Sequence, residues 1–101
     1  MPKITITHNA GAAPVLAGNA QRTFLFLQNN TLFDVFYRMT GEVSLVDDAK
    51  AGLLLAKAPS AGQPGGSVIL TGAIAQKPIY ALHSGGGSDT VKLDAEGDAG
   101  L

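Results

Sequence analysis

The side chains of this 101-residue chain that could do chemistry are two histidines, eight carboxylates and five serines, and their spacing decides what they can do together. His8 and His83 each stand at the end of a strand-like run, where they could meet as a metal pair or an acid–base unit. No third ligand stands at a recognisable spacing, and a histidine at a strand end is more often a half-exposed polar residue. Asp94-Ala95-Glu96-Gly97-Asp98 has the alternating acids of a calcium loop, but its glycine is misplaced and the closing bidentate glutamate is missing. It reads as a solvated tail. The glycine-rich stretches 62–67 and 85–88 are each bounded by strands and lack the Lys-Ser/Thr or helix that a phosphate loop requires. Ser44, Ser60, Ser67, Ser84 and Ser88 have no nucleophile-elbow context, and Glu42, Asp47 and Asp48 read as solvated loop acids. Six aromatic residues without tryptophan make incomplete stacking platforms. The expectation is a protein that is not an enzyme, with no catalytic residue, cofactor or metal.

Composition narrows the partners. A chain of this length is one domain, residues 1–101, and 46% apolar against 15% charged residues is too apolar for disorder. With a formal charge of −1 and basic residues scattered from Lys3 to Lys92, no patch could neutralise a run of phosphates, so nucleic acid is not an expected partner. There is no cysteine, hence no disulfide or thiolate site. Met1-Pro2-Lys3 runs straight into a strand pattern, and no apolar stretch has signal-peptide or membrane-spanning character, so the expected compartment is the cytosol, with no membrane partner. Asn29-Asn30-Thr31 fits a glycosylation pattern and is read instead as a turn.

The elements that must position these residues are strands. Lys3–His8 alternates apolar and β-branched polar residues; Val15–Ala17 is a short strand; Arg22–Asn29, apolar from Phe24 to Leu27 with a polar residue at each end, is a strand candidate, and the apolar run Phe33–Met39 returns beside it after the turn at Asn29–Leu32. If these two form a hairpin, Phe26 faces Val35, Phe24 faces Tyr37, and Leu25 faces Phe36, with Leu27–Asp34 and Thr23–Arg38 at the rim. In that register the Phe24/Phe26 face is core, and Leu25, Leu27, Asp34, Phe36 and Arg38 form a second face that something else must cover. In residues 42–57 Ser44 could cap a short helix through Lys50 with Gly52 as its stop, while Val43, Leu45 and Val46 suit a strand as well; the stretch reads as a long loop with one helical turn, followed by the short apolar strand Leu53–Leu55. Residues 58–66 are a flexible loop or arm, Ser67–Thr71, Pro78–His83 and Thr90–Asp94 are strands, Gly72–Lys77 is a connection, and 95–101 is a fraying tail. In the last strand Val91 and Leu93 point inward. About seven or eight short strands and no long helix predict an all-β fold, a small single-domain β-sandwich or barrel, with a jelly roll among the arrangements left open.

The succession Arg22-x-x-Leu25-x-Leu27-Gln28-Asn29, then Val35-Phe36-Tyr37-Arg38-Met39-x-Gly41, a leucine-rich stretch before a Pro/Gly loop, and Pro78-Ile79-Tyr80-Ala81 before Thr90-Val91-x-Leu93 resembles small virion proteins of tailed bacteriophages. The resemblance spans about residues 22–93, and Pro59 and Gly62 are separated here where the pattern joins them. It implies a non-enzymatic virion component assembled in the host bacterial cytoplasm: a capsid decoration or cement protein, or a piece of a head or tail fibre. Low charge and an uncovered apolar face add the expectation of a homo-oligomer, a trimer favoured, bound to other virion proteins such as the major capsid protein. The alternative is a carbohydrate- or receptor-binding module of a phage fibre, with Tyr37, Tyr80 and Asp34 as a shallow site.

Overall fold

The computed structural model describes residues 3–7, 12–45, 48–85 and 90–101. Among these described residues eight strands run in the order β1 (Lys3–Thr7), β2 (Pro14–Leu16), β3 (Phe24–Gln28), β4 (Val35–Arg38), β5 (Leu53–Leu55), β6 (Ser67–Thr71), β7 (Ile79–His83) and β8 (Thr90–Gly97). They form two four-stranded antiparallel sheets, β1-β8-β3-β6 and β2-β7-β4-β5. First pairs with last, second with seventh, third with sixth and fourth with fifth, so the chain is one long hairpin rolled over on itself. This is the double-sheet jelly roll. Every expected strand is present within a few residues of its expected bounds.

The expected β3–β4 hairpin does not form: β3 lies between β8 and β6, and β4 lies between β7 and β5 in the other sheet. The turn at Asn29 exists, but it carries the chain across to the second sheet. Asn29 is fully buried. Its Oδ1 accepts from the Thr31 N–H at 3.0 Å and the Thr31 hydroxyl at 2.6 Å, while its Nδ2 donates to the carbonyls of Phe33 at 2.9 Å and Leu55 at 2.8 Å. The local Asx turn is thereby fastened to β5 rather than to a hairpin partner.

The inward face of β3 is also the reverse of the one expected. Leu25 and Leu27 are completely buried, while Phe24 is 38% exposed and Phe26 half-buried. A strand apolar on both faces does not specify which face is inside; its neighbours do. Leu25 and Leu27 lie opposite Leu70 and Val68 of β6 and Gly97 and Ala95 of β8, whereas Phe24, Phe26 and Gln28 lie opposite Thr71, Ile69 and Ser67 of β6. The polar alternation of β6 and β8 turns the phenylalanines outward. The core between the sheets is built from Ile4, Ile6, Leu25, Leu27, Val35, Tyr37, Leu55, Leu70, Ile79, Ala81, Val91 and Leu93. Val91 and Leu93 point inward as the alternation of β8 predicts.

Residues expected to be loose are tied down. β8 runs to Gly97, and beyond it Asp98 accepts from the backbone N–H groups of Thr23 at 2.8 Å and Phe24 at 3.2 Å, and from the Thr23 hydroxyl. Leu101 packs on the core. In the 58–66 loop, Ala58 is buried and its N–H donates to the Thr31 carbonyl at 2.8 Å, while the Gly66 N–H reaches the Ala56 carbonyl and the Asn29 N–H reaches the Gly66 carbonyl, both at 2.8 Å. Residues 59–64 remain exposed. The expected helical turn appears as a 3-10 helix at Asp48–Lys50, closed by the Ser44 N–H on the Lys50 carbonyl at 2.9 Å. The Gly72–Lys77 connection contains a second 3-10 helix, Gly72–Gln76, which buries Ala75.

Candidate functional site

An antiparallel sandwich has two flanks, each made by one edge strand from each sheet, and here the flanks differ in sequence. β1 and β2 are the edges on one side, where β1 packs across from β2 and β7. They carry Lys3 and Pro14, the charge and the proline that blunt an edge against pairing. β5 and β6 are the edges on the other side, tied together where Gly66 meets Ala56. Leu53–Leu55 and Ser67–Thr71 contain neither charge nor proline. Leu53, Leu54 and Ile69 are each more than half exposed, at 56%, 54% and 65%.

The flank continues onto both outer faces. On the first sheet Ile69 pairs across with Phe26, beside Phe24. On the second, Leu54 pairs with Phe36, which in turn pairs with Leu82 of β7. Leu82 is buried yet stands outside the inter-sheet core, as its parity on β7 requires. The result is an apolar belt from Phe24 and Phe26 over Ile69 and around the edge to Leu54 and Phe36.

Of the five residues expected on an interaction face, Leu25 and Leu27 are therefore core residues. Phe36 is half-buried on the outer face of the second sheet. Asp34 accepts the Lys57 N–H on its carboxylate at 2.9 Å, and its carbonyl accepts the Ser84 N–H at 2.9 Å, so it clamps two loops. Arg38 donates to the Glu42 carbonyl at 2.9 Å and the Thr40 hydroxyl at 3.3 Å, holding the turn after β4. The alternative site separates: Tyr37 is 5% exposed and points into the core, where burial raises its phenol pKa above the ordinary value, while Tyr80 stands half-buried on the opposite face of its sheet.

The histidine reading changes too. His8 and the acid Asp47 lie outside the described residues. His83 is fully buried rather than half-exposed; its Nδ1 accepts the Gly85 N–H at 3.0 Å and its ring lies 5.3 Å from that of Phe33. Among the described residues no group of three His, Asp or Glu side chains could hold a metal ion, and no helix is long and apolar enough to cross a membrane.

Two polar centres were not legible in the sequence. Arg22 is buried with its guanidinium donating to the carbonyls of Ala75, Ala17 at 3.4 Å, Leu101 at 2.7 Å and Lys77 at 2.9 Å. Desolvation lowers its pKa from the usual value, and the nearby Asp98 carboxylate opposes that shift. An arginine two residues before the apolar run Phe24–Leu27 was the available signal. The second centre is Asp94, which accepts from the Lys3 ammonium and the Asn30 amide. These bonds, the lysine's above all, hold its carboxyl below the usual carboxylate range against the opposing effect of burial.

What fold and surface define together is an eight-stranded jelly-roll β-sandwich with one protected and one apolar flank. No protein-family model matches the chain, and no curated protein and no solved structure matches it either.

Proposed function

We propose that the protein is a non-enzymatic structural component of a bacteriophage virion, a capsid decoration or cement protein that self-associates and binds the particle surface, with the major capsid protein as its partner. The observation that carries this reading is the unprotected β5–β6 flank. Two edge strands with unpaired backbone groups, no charge and no proline, flanked by Leu53, Leu54, Ile69 and Phe36, form a surface suited to another protein rather than to water. A second copy of the chain is the first occupant, through edge pairing or apolar contact, and a trimer is the favoured assembly. The resemblance over about residues 22–93 to small phage virion proteins supplies the particle. The placement of the reactive side chains also favours a structural role, since Asp34, Asp98, Arg22 and His83 are each committed to holding loops or termini.

Light scattering of the purified protein at micromolar concentration is expected to give the mass of three chains, and Ile69→Lys with Leu54→Lys is expected to reduce it to one. Electron microscopy of particles with and without the protein is expected to show symmetric surface density only in its presence. A chain that stays monomeric when concentrated and does not bind particles lacking it would remove the proposal.

A further inference from the structure

The outer face of the first sheet is apolar at one end and polar at the other. One row across its four strands reads Lys3, Asp94, Gln28, Ser67, and the next reads Glu96, Phe26, Ile69. Beyond Gln28 the sheet meets the 58–66 loop, leaving an open cleft of about 340 Å³ lined by Gln28, Asn30, Gly62, Gln63 and Pro64. From this juxtaposition we infer that the cleft is a binding site for a neutral carbohydrate.

Three observations select that chemistry. The first is the amides. A primary amide presents an acceptor and two donors in one plane, which suits hydroxyls that both give and accept hydrogen bonds. Among the described residues Gln28 Oε1 has only a long 3.4 Å contact from Asn30, and Gln28 Nε2 and the Gln63 side-chain amide have no hydrogen bond. The second is charge. Lys3 and Lys92 on this face are balanced by Asp94 and Glu96, and Lys3 is engaged by Asp94, so the field favours neither a phosphate nor a free cation. The third is an apolar wall. Pro64 lines the cleft beside Gln63, a place for the C–H face of a pyranose ring next to the groups that bind its hydroxyls.

The cleft is preformed. The Gly65 N–H donates to Asn30 Oδ1 at 3.3 Å, and the Gly66 contacts fix the base of the loop on the sheet. Binding therefore does not have to order the loop first.

The test is a titration of the ¹⁵N-labelled protein with four neutral hexasaccharides, α- and β-linked glucose, mannose and galactose, each to about 5 mM, a range in which weak sugar binding is measurable. At least one is expected to shift the side-chain amide signals of Gln28, Asn30 and Gln63 in a saturable way. The double variant Gln28→Ala, Gln63→Ala, with its fold checked by backbone signals, is expected to lose at least tenfold in affinity. Leu54→Lys, on the association flank, is expected to bind unchanged, which separates this result from the fate of the virion proposal. No shift with any of the four, or an undiminished response in the double variant, would overturn the inference.

Discussion

Arg22, at the entry to β3, donates to the carbonyl of Leu101 at 2.7 Å, joining positions 79 residues apart. The same guanidinium serves the carbonyls of Ala75 and Lys77 around the second 3-10 helix. One side chain thus fastens β3, the connection before β7 and the residues after β8. Arg22→Ala leaves the buried Ala75 carbonyl without its partner and frees three part-buried carbonyls to water; with roughly 1–3 kcal/mol for the buried group and less for each of the others, the expected loss is about 2–4 kcal/mol. Arg22→Lys should recover little, since an ammonium cannot reproduce the planar fork. Urea unfolding of both variants measures this, and a loss below about 1 kcal/mol would contradict the role.

Leu27 and Phe26 are neighbours with opposite duties. Leu27→Ala opens a cavity between the sheets and should cost about 2–5 kcal/mol. Phe26→Ala removes a half-buried ring from the outer face and should cost clearly less, while lowering the apparent mass in light scattering. Equal destabilisation by the two would mean that the outer face is covered within the chain.

Gly65 tests the loop base. A Cβ there would drive into the Asn29 carbonyl and lie 2.6 Å from the Ala56 carbonyl, both backbone atoms that cannot swing aside. Gly65→Ala should lower the melting temperature and accelerate amide exchange at Asn29 and Gly66. Gly62→Asn, at a residue that already has positive φ and open space around it, should be tolerated far better.

His83→Asn should behave as a core substitution. The imidazole is fully buried against Phe33 and accepts the Gly85 N–H, so loss of its volume and of that bond is expected to cost about 2–3 kcal/mol. Thermal unfolding gives the answer; a shift within error would show that the pocket around Phe33 closes on the smaller side chain.

Asp94 gives the protein an acid-sensitive component. Its folded pKa lies below its unfolded value, chiefly through the Lys3 hydrogen bond, so the stabilisation is fully present above the unfolded value of about 3.9. It is lost as pH falls through the depressed folded value. Asp94→Asn should be less stable than the parent near neutrality and lose less between about pH 6 and pH 2.5. Parallel pH profiles for the two proteins would assign the acid sensitivity to another carboxylate.

The sequence by itself determined where strands form. β-branched alternation in Lys3–Thr7, the polar–apolar alternation of Thr90–Asp94, and the glycine and proline punctuation between runs are local properties, and they located every strand. It also fixed the inward face of β8, because Val91 and Leu93 alternate with polar residues. What only the tertiary structure decided was pairing and, with it, the inward face of β3. Phe24–Leu27 is apolar on both sides, so a one-residue change of face is invisible in that segment and is settled by β6 and β8, some forty and seventy residues away, about as far as 25 is from 70 and 97. The same long-range closure buried Arg22 and Asn29, whose partners at Leu101 and Leu55 are adjacent only after the hairpin has rolled. Both the apolar flank and the amide-lined cleft arise there, where β5, β6 and their connecting loop come to rest against β3 and β4.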